Sequence, residues 1–390
     1  MKKSDFSSEY AIALLALYGL PIEQLEESVK RTINNLDFQF IVEHVKVQHR
    51  NVVLSHFLNF KSTNHSSIFD QEQEKYRRVS VINHCLLLQR QLEIQKMLDE
   101  KGIRCAFIKG ICFDSCLSSD DQSMYKIVGD IDLLTHPSEA AEVYQFLRKY
   151  SYQIENNLSN YLGFYQRFGH HYPEFDYKNI GVDIHHRVVW PYMTHLGINY
   201  YIPEILERRE FVTINNKNLH TVDEDDRCLL LMCFIYKDQV YAHNYNPYNV
   251  CSLLLLLMKR VNCESMIERI VKYNIIEPVK YCINLCSYLH FKLFGKEFEC
   301  DLKKHFDFPV DGSDSIDQFR SHTTYTNEII GYFDFPLENR YFMTEEELAP
   351  YVYKKMLDKY GMSPQALFEE RVVKTVEKCN LKHPPTQKLI

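Results

Sequence analysis

Apolar positions recur at helical spacing through residues 1–60: Leu14, Leu17 and Tyr18, then, past a break at Gly19 and Pro21, Leu25, Val29 and Ile33, with DFQFIVEHVKVQHRNVVLSHFLNF carrying the pattern on. Residues three or four apart share a helix face, so this period predicts a helical N-terminal region. The stretch at 61–78, KSTNHSSIFDQEQEKYRR, is polar and Ser/Asn-rich and predicts a boundary before a long helix over about Val79–Lys101. The period then changes. CAFIKG at 105–110 reads as a short strand ending in Lys-Gly, ICFDSCLS as a helix, DDQSMYK as a loop and IVGDIDLLT at 127–135 as a strand. After Pro137, SEAAEVYQFLRKYSY opens with Ser138 as a candidate N-cap and continues at helical spacing. GVDIHHRVV at 181–189 alternates like a strand, and YYIPEILERREFVTINNKNLHTV at 200–222 predicts a helix and a strand pair. From Asp223 to Phe294 the chain is Leu-rich and helical, and beyond that it is mixed, with Pro-marked turns. Three regions follow: a helical one at 1–78, a core at 79–222 where strands and helices alternate, and a mainly helical one at 223–390.

Composition narrows the class. With 390 residues, 45% hydrophobic, 25% charged and only 12 Gly and 13 Pro, the chain is globular. Its net charge of -7 and dispersed Lys and Arg residues offer no basic field, so no nucleic-acid partner is expected. The first twenty residues imitate a signal peptide, but Asp5 and Glu9 interrupt the charged region and no small-residue cleavage site follows. The longest aliphatic runs, at 228–234 and 253–258, fall short of the roughly 18–20 apolar residues a membrane span needs. Twelve cysteines without a CxxC pair read as reduced thiols. Cys112 and Cys116, like Cys282 and Cys286, are spaced to share a helix face, but small buried hydrophobes are the simpler reading. A soluble cytoplasmic protein with no membrane partner is expected.

Two carboxylates inside an apolar strand demand an explanation, because burying even one costs several kcal/mol unless it is paired. Asp130 and Asp132 are two apart and project from the same face, while Ile131 and Leu133 turn into a core. Like charges so close repel unless a cation lies between them, and hard Mg²⁺ or Mn²⁺ ions take carboxylate oxygens together with substrate phosphates. In VDIHHRVV, Asp183, His185 and Arg187 alternate onto one face and supply a third carboxylate. Three carboxylates on adjacent strands suit two ions roughly 3.5–4 Å apart, the arrangement for in-line phosphoryl displacement. Gly110, where a strand meets a helix N-terminus, offers backbone N–H groups to a phosphate, and Lys109 and Lys126, the latter just before Gly129, offer charge. His170 and His171 are candidates for phosphate or acceptor contacts, as are His185 and Arg187. The plainer alternative is a buried structural pair neutralised by Lys126 or Arg187. Asp225 and Asp226 read as an acidic helix start that complements the dipole. The Tyr-rich segment at 236–249 reads either as a pocket lining or as a packed surface turn.

The order of Lys109-Gly110, then Gly129-Asp130-Ile131-Asp132-Leu133-Leu134, then His170-His171 with Pro173, then Asp183 with His185 resembles the uncharacterised nucleotidyltransferase family within the DNA polymerase β-like superfamily. The resemblance covers roughly residues 80–220. It implies an α+β fold, a small mixed sheet flanked by helices, with Asp130, Asp132 and Asp183 as a metal triad. It implies also a nucleoside triphosphate substrate, ATP foremost, Mg²⁺ or Mn²⁺ as cofactor, and transfer of the monophosphate to a hydroxyl of a small-molecule, sugar or protein acceptor. Two positions depart from the pattern: Ile111 follows Gly110 where the superfamily has Ser, and Lys126 stands where the family commonly has Arg. A catalytically inactive nucleotide-binding or scaffold protein of the same fold is the alternative.

Overall fold

The computed structural model describes residues 8–61, 67–114, 125–150, 170–189, 198–241, 246–259 and 263–306. Four helices open the chain: α1 (Ser8–Ala16), α2 (Glu27–Asn35), α3 (Phe38–His44) and α4 (Arg50–Lys61). Their apolar faces, including Leu14, Leu15, Ile33 and Val53, are fully buried, as the helical period requires. Helix α5 (Ser67–Asp99) begins at Ser67 rather than near Val79, so the expected boundary is partly helix. Polarity misleads there because Glu, Gln, Lys and Arg are good helix formers. Glu74 pairs with Arg77 at 2.5 Å and with Arg78 at 2.8 Å, contacts that stabilise an exposed helix.

A six-stranded mixed sheet follows, formed by β1 (Cys105–Phe107), β2 (Asp130–Thr135), β3 (Phe175–Tyr177), β4 (Ile180–His185), β5 (Glu210–Ile214) and β6 (Lys217–Thr221). The spatial order is β3-β4-β2-β1-β6-β5. Strands β2 and β4 run parallel at its centre, and β1 pairs with β2 antiparallel and with β6 parallel. Two tight hairpins close the edges. Their turn residues, Lys178-Asn179 and Asn215-Asn216, all have positive φ, between 49° and 70°. Two consecutive left-handed residues match the twist of the flanking strands, a geometry Asn tolerates well.

Four expectations change at this level. Strand β3 was not expected; it is three residues long and exists because its hairpin pairs it with β4. Strand β4 ends at His185, where His186 and Arg187 instead give their backbone N–H groups to His170 O, each at 3.1 Å. Arg187 therefore lies beyond the alternating face on which the sequence pattern placed it. Strand β2 begins at Asp130, so Gly129 precedes it. Helix α7 (Ala140–Arg148), which follows α6 (Ile111–Asp114), is preceded by Glu139 and not capped by Ser138, whose hydroxyl lies 2.6 Å from His136 Nδ1.

The remaining helices are α8 (Ile202–Glu207), α9 (Glu224–Tyr236), α10 (Pro247–Lys259), α11 (Glu264–Lys272), α12 (Ile276–Phe294) and α13 (Asp301–His305). Helix α9 is buried on nearly every side and passes directly into a π-helical turn over Lys237–Tyr241. The described cysteines are free thiols, and Cys282 and Cys286 pack inside α12 as small hydrophobes. Among the described residues, no helix is long and apolar enough to cross a membrane. Cys116, part of the expected 120–126 loop, part of the Tyr-rich segment and the chain beyond residue 306 lie outside the described residues.

Candidate active site

Asp132 stands directly opposite Asp183 across the parallel β2–β4 ladder, and Asp130 stands opposite Gly181. Side-chain alternation then places Asp130, Asp132, Asp183 and His185 on one face of the sheet. The other face carries Ile131, Leu133, Val182 and Ile184, all fully buried. The segment before β2 is pinned to α5, since Asn83 accepts from Val128 N at 2.8 Å and donates to Val128 O at 3.0 Å. Gly110, with φ of 58°, sits against the same segment, where an added Cβ would lie 3.2 Å from Val128 Cγ1. Gly181 has its own reason to lack a side chain. A Cβ there would lie 2.7 Å from Glu174 Oε1, so the carboxyl of Glu174 occupies that space beside Asp130.

Two donors converge on one oxygen of Asp132. Lys109 Nζ donates to Oδ1 at 2.5 Å and His185 Nε2 donates to the same atom at 2.8 Å. Burial alone would raise the carboxyl pKa, but Lys109 and His185 outweigh it and hold Asp132 well below the usual carboxylate range. For Lys109, burial works toward the neutral amine, and Asp132, then Asp130 and Asp238, more than reverse it. Asp130 goes the other way: burial first, and then the charge of Asp132 with smaller contributions from Asp183 and Glu174, push it up to about 7 against the opposing pull of Lys109.

Three imidazoles complete the wall. The rings of His170, His171 and His185 lie between 4.3 and 5.3 Å apart by centroid. Burial lowers the pKa of His185 to about 3 and of His171 to about 4, and carries His170 well below its ordinary value, so all three are neutral at pH 7. The tautomers follow from their partners. His171 Nδ1–H donates to Tyr172 O at 2.6 Å, leaving Nε2 as the basic nitrogen, and the same Nδ1 stands 3.7 Å from Asp183 Oδ1. His185 uses Nε2–H for Asp132, and its Nδ1 has no hydrogen-bond partner among the described residues.

One ligand atom each from Asp132, Asp183 and His185 lie within 4.8 Å of one another. Two hard carboxylates beside an imidazole, with the surplus negative charge that Asp130 records, fit a divalent cation. In the tautomer present, His185 orients the Asp132 carboxylate and does not itself offer an Nε2 lone pair, a supporting role common around metal sites.

The other expected residues fall into two groups. Lys109 and His171 meet the aspartates, and His170 packs against His171 and His185. Lys126 Nζ instead lies 3.8 Å from the centroid of the Tyr248 ring, and Arg187 lies near Tyr172, with burial lowering its pKa. Two residues at the site went unnoticed in the sequence: Glu174, and Lys237 on the π-helical turn, whose charge acts on His170 and His171. Glu174 follows the paired histidines and Pro173 closely, which is its sequence hint; Lys237 falls in the Tyr-rich segment at 236–249, read as either a pocket lining or a packed surface turn.

A family model described as uncharacterised nucleotidyltransferase matches residues 59–290. The chain belongs to that family. The match runs from α4 into α12 and so contains every residue of the candidate site described above. No curated protein matches the chain. Among solved structures, an antigenic nucleotidyltransferase-like protein from Paracoccidioides brasiliensis is similar over 54% of this chain and 92% of that one, at 13% identity and a TM-score of 0.29. A likeness that slight carries no argument about this chain.

Proposed function

We propose that the protein transfers a nucleoside monophosphate from a nucleoside triphosphate, ATP foremost, to a hydroxyl of a small-molecule, sugar or protein acceptor. The acceptor oxygen forms a bond to the α-phosphorus as the bond from that phosphorus to the bridging oxygen breaks, and pyrophosphate leaves. The observation that carries this reading is the register of β2 against β4, which sets Asp132 across from Asp183 on the face that also holds Asp130. Mg²⁺ or Mn²⁺ held by Asp130, Asp132 and Asp183 would neutralise phosphate charge and lower the barrier to attack.

The protein's own groups do the rest by positioning and charge. Lys109 and His185 fix the orientation of Asp132 through its Oδ1. Gly110, free of a side chain at a positive φ, allows a phosphate close approach to the backbone. His171, neutral and tied through Nδ1 to Tyr172 O, keeps its Nε2 lone pair for the proton that the acceptor hydroxyl loses. The formal charge of -7 disfavours a polynucleotide acceptor.

The test is label transfer from α-labelled ATP, with pyrophosphate release, against a panel of hydroxyl acceptors in Mg²⁺ or Mn²⁺. Asp132→Asn should abolish transfer while the protein stays folded. Equal turnover by that folded variant sinks the mechanism, and nucleotide binding without any label transfer favours the inactive binding protein.

A further inference from the structure

Cys263 immediately precedes α11 and Cys300 immediately precedes α13, so α11 and α12 lie in the chain between them. Both side chains belong to one buried core, at 3% and 7% exposure, and both are free thiols. They meet there, with the Cys263 thiol hydrogen-bonded to the Cys300 sulfur. Other buried thiols of the helical region use their hydrogens differently. Cys251 donates to Leu15 O and Cys282 donates to Met232 O, each at 3.4 Å, which suits cysteines that serve as small hydrophobes. A metal does not explain the pair. Among the described residues, the group of three His, Cys, Asp or Glu ligands close enough to share an ion is Asp132, Asp183 and His185, so no third ligand joins these two sulfurs.

We infer that Cys263 and Cys300 are a redox modification site, closing a reversible disulfide on exposure to a hydroperoxide, with Cys300 attacking and Cys263 resolving. This is independent of the nucleotidyl transfer proposed above. The roles follow from the shared hydrogen bond and from exposure. Cys263 is the donor and keeps its proton, while Cys300 is the more exposed of the two. The Cys263 hydrogen bond is the largest influence on Cys300 and lowers its thiol to about 7 against burial, so much of it is thiolate at neutral pH. Burial instead pushes Cys233 up to about 12 and carries Cys282 and Cys286 well above the ordinary thiol value, which leaves them protonated and unreactive. The Cys300 thiolate attacks one peroxide oxygen, the O–O bond breaks, and the released hydroxide takes a proton to leave as water, giving a sulfenic acid. The Cys263 sulfur then attacks that sulfur, the S–O bond breaks, and a second water leaves with the thiol proton. The two thiols give up two electrons and two protons, and the peroxide is reduced to two waters. A dithiol reductant reverses the step by thiol–disulfide exchange. The bond ties the start of α11 to the start of α13 and so closes a loop through α12.

The experiment treats the full reduced chain with hydrogen peroxide at neutral pH, blocks remaining thiols with an alkylating reagent, and maps the peptides by mass spectrometry. Wild type should yield a linked pair of peptides carrying Cys263 and Cys300, lighter by two hydrogens than the reduced pair and lost on treatment with dithiothreitol. The oxidised protein should melt about 5 °C higher than the reduced one, the order expected when a loop of this kind is closed. Cys263→Ser should form no such link and should instead accumulate a sulfenic acid at Cys300, trapped by a cyclic diketone. Cys300→Ser should form neither the link nor the trapped adduct at Cys263. Exposed Cys85 reports that oxidant was present. The inference is overturned if Cys263 and Cys300 both remain alkylated under conditions that oxidise Cys85, or if either pairs with a different cysteine. A trapped adduct at Cys263 in Cys300→Ser overturns the assignment of roles. Peptide mapping of wild type decides whether the link forms even where a serine variant fails to fold, and neither readout depends on nucleotidyl transfer.

Discussion

Two clusters of buried aspartates lie in this protein, and they are built differently. At the start of α9, Asp223 caps the helix by accepting from Asp226 N at 2.8 Å, and Asp226 itself is fully buried. That carboxylate accepts from Arg208 Nε at 3.0 Å and Nη2 at 2.8 Å, and Arg269 Nη1 lies 3.2 Å from its other oxygen. Arg269 also bonds Asp223 at 2.7 Å, and Ser265 donates to Asp225. On the sheet, Asp130, Asp132 and Asp183 meet Lys109 and a set of imidazoles kept neutral by burial. The helix cluster matches carboxylates with guanidinium groups in forked geometry; the sheet cluster is left with excess negative charge. Burial and a neighbouring carboxylate raise Asp226 and Asp130 alike, but two arginines pull Asp226 part of the way back, whereas Asp130 has Lys109 alone against it and is pushed up to about 7. Burial of acidic groups is thus no mark of a site by itself. What marks one is charge that the fold leaves uncompensated.

That contrast is open to direct attack, and the largest effect should come from the chemistry. Asp132→Asn is expected to lower nucleotidyl transfer by about a thousandfold or more, measured as label transfer per folded molecule. Asp226→Asn should leave transfer per folded molecule near wild type. Stability should reverse the ranking: Asp226→Asn removes a carboxylate oxygen that accepts two hydrogen bonds from Arg208 and should cost about 1–3 kcal/mol in denaturant unfolding, the arginines keeping Asp223 as a partner. If the two substitutions exchanged these effects, the comparison would be wrong.

Metal addition sharpens it further. Mg²⁺ or Mn²⁺ at about a hundred times its Kd should stabilise the wild type by about 2.7 kcal/mol, seen as a rise in melting temperature. Asp183→Asn should lose that rise, and Asp226→Asn should retain it from a lower baseline.

The smallest effect concerns Asp130. Its folded-state pKa is raised to about 7 from an unfolded value near 4, so the folded state holds the proton across that window while the unfolded state releases it. Stability contributed by the protonated group is present below about pH 4 and is lost as pH rises through about 7. In metal-free protein, Asp130→Asn should therefore add about 1 kcal/mol or more at pH 8 and nothing near pH 4. A variant less stable than wild type at pH 8 would contradict the assigned repulsion.

Much of the site could be read from the chain because strand alternation is a local property. The spacing of Asp130 and Asp132 put both carboxylates on one face before any partner strand was known. The same rule overreached at Arg187, since where a strand stops depends on its neighbours, and here the His170 carbonyl captures the next two backbone N–H groups. Strand β3 was invisible because three residues carry almost no period, and its Lys178-Asn179 turn lacks the Gly that usually signals a hairpin. Asp225 and Asp226 read correctly as an acidic helix start, but Arg208 and Arg269 are distant in sequence, so the ion-pair network around Asp226 could not be seen.

The sequence by itself determined most of the elements and the shared face of Asp130 and Asp132, because propensity and alternation act over a few residues. Only the tertiary structure decided which carboxylates found cations and which did not. Those partners come from elsewhere in the chain: Lys109, just past β1, meets Asp132, and Arg208 and Arg269 meet Asp226. Electrostatic compensation depends on distances of a few ångströms between such segments, and no local pattern encodes them.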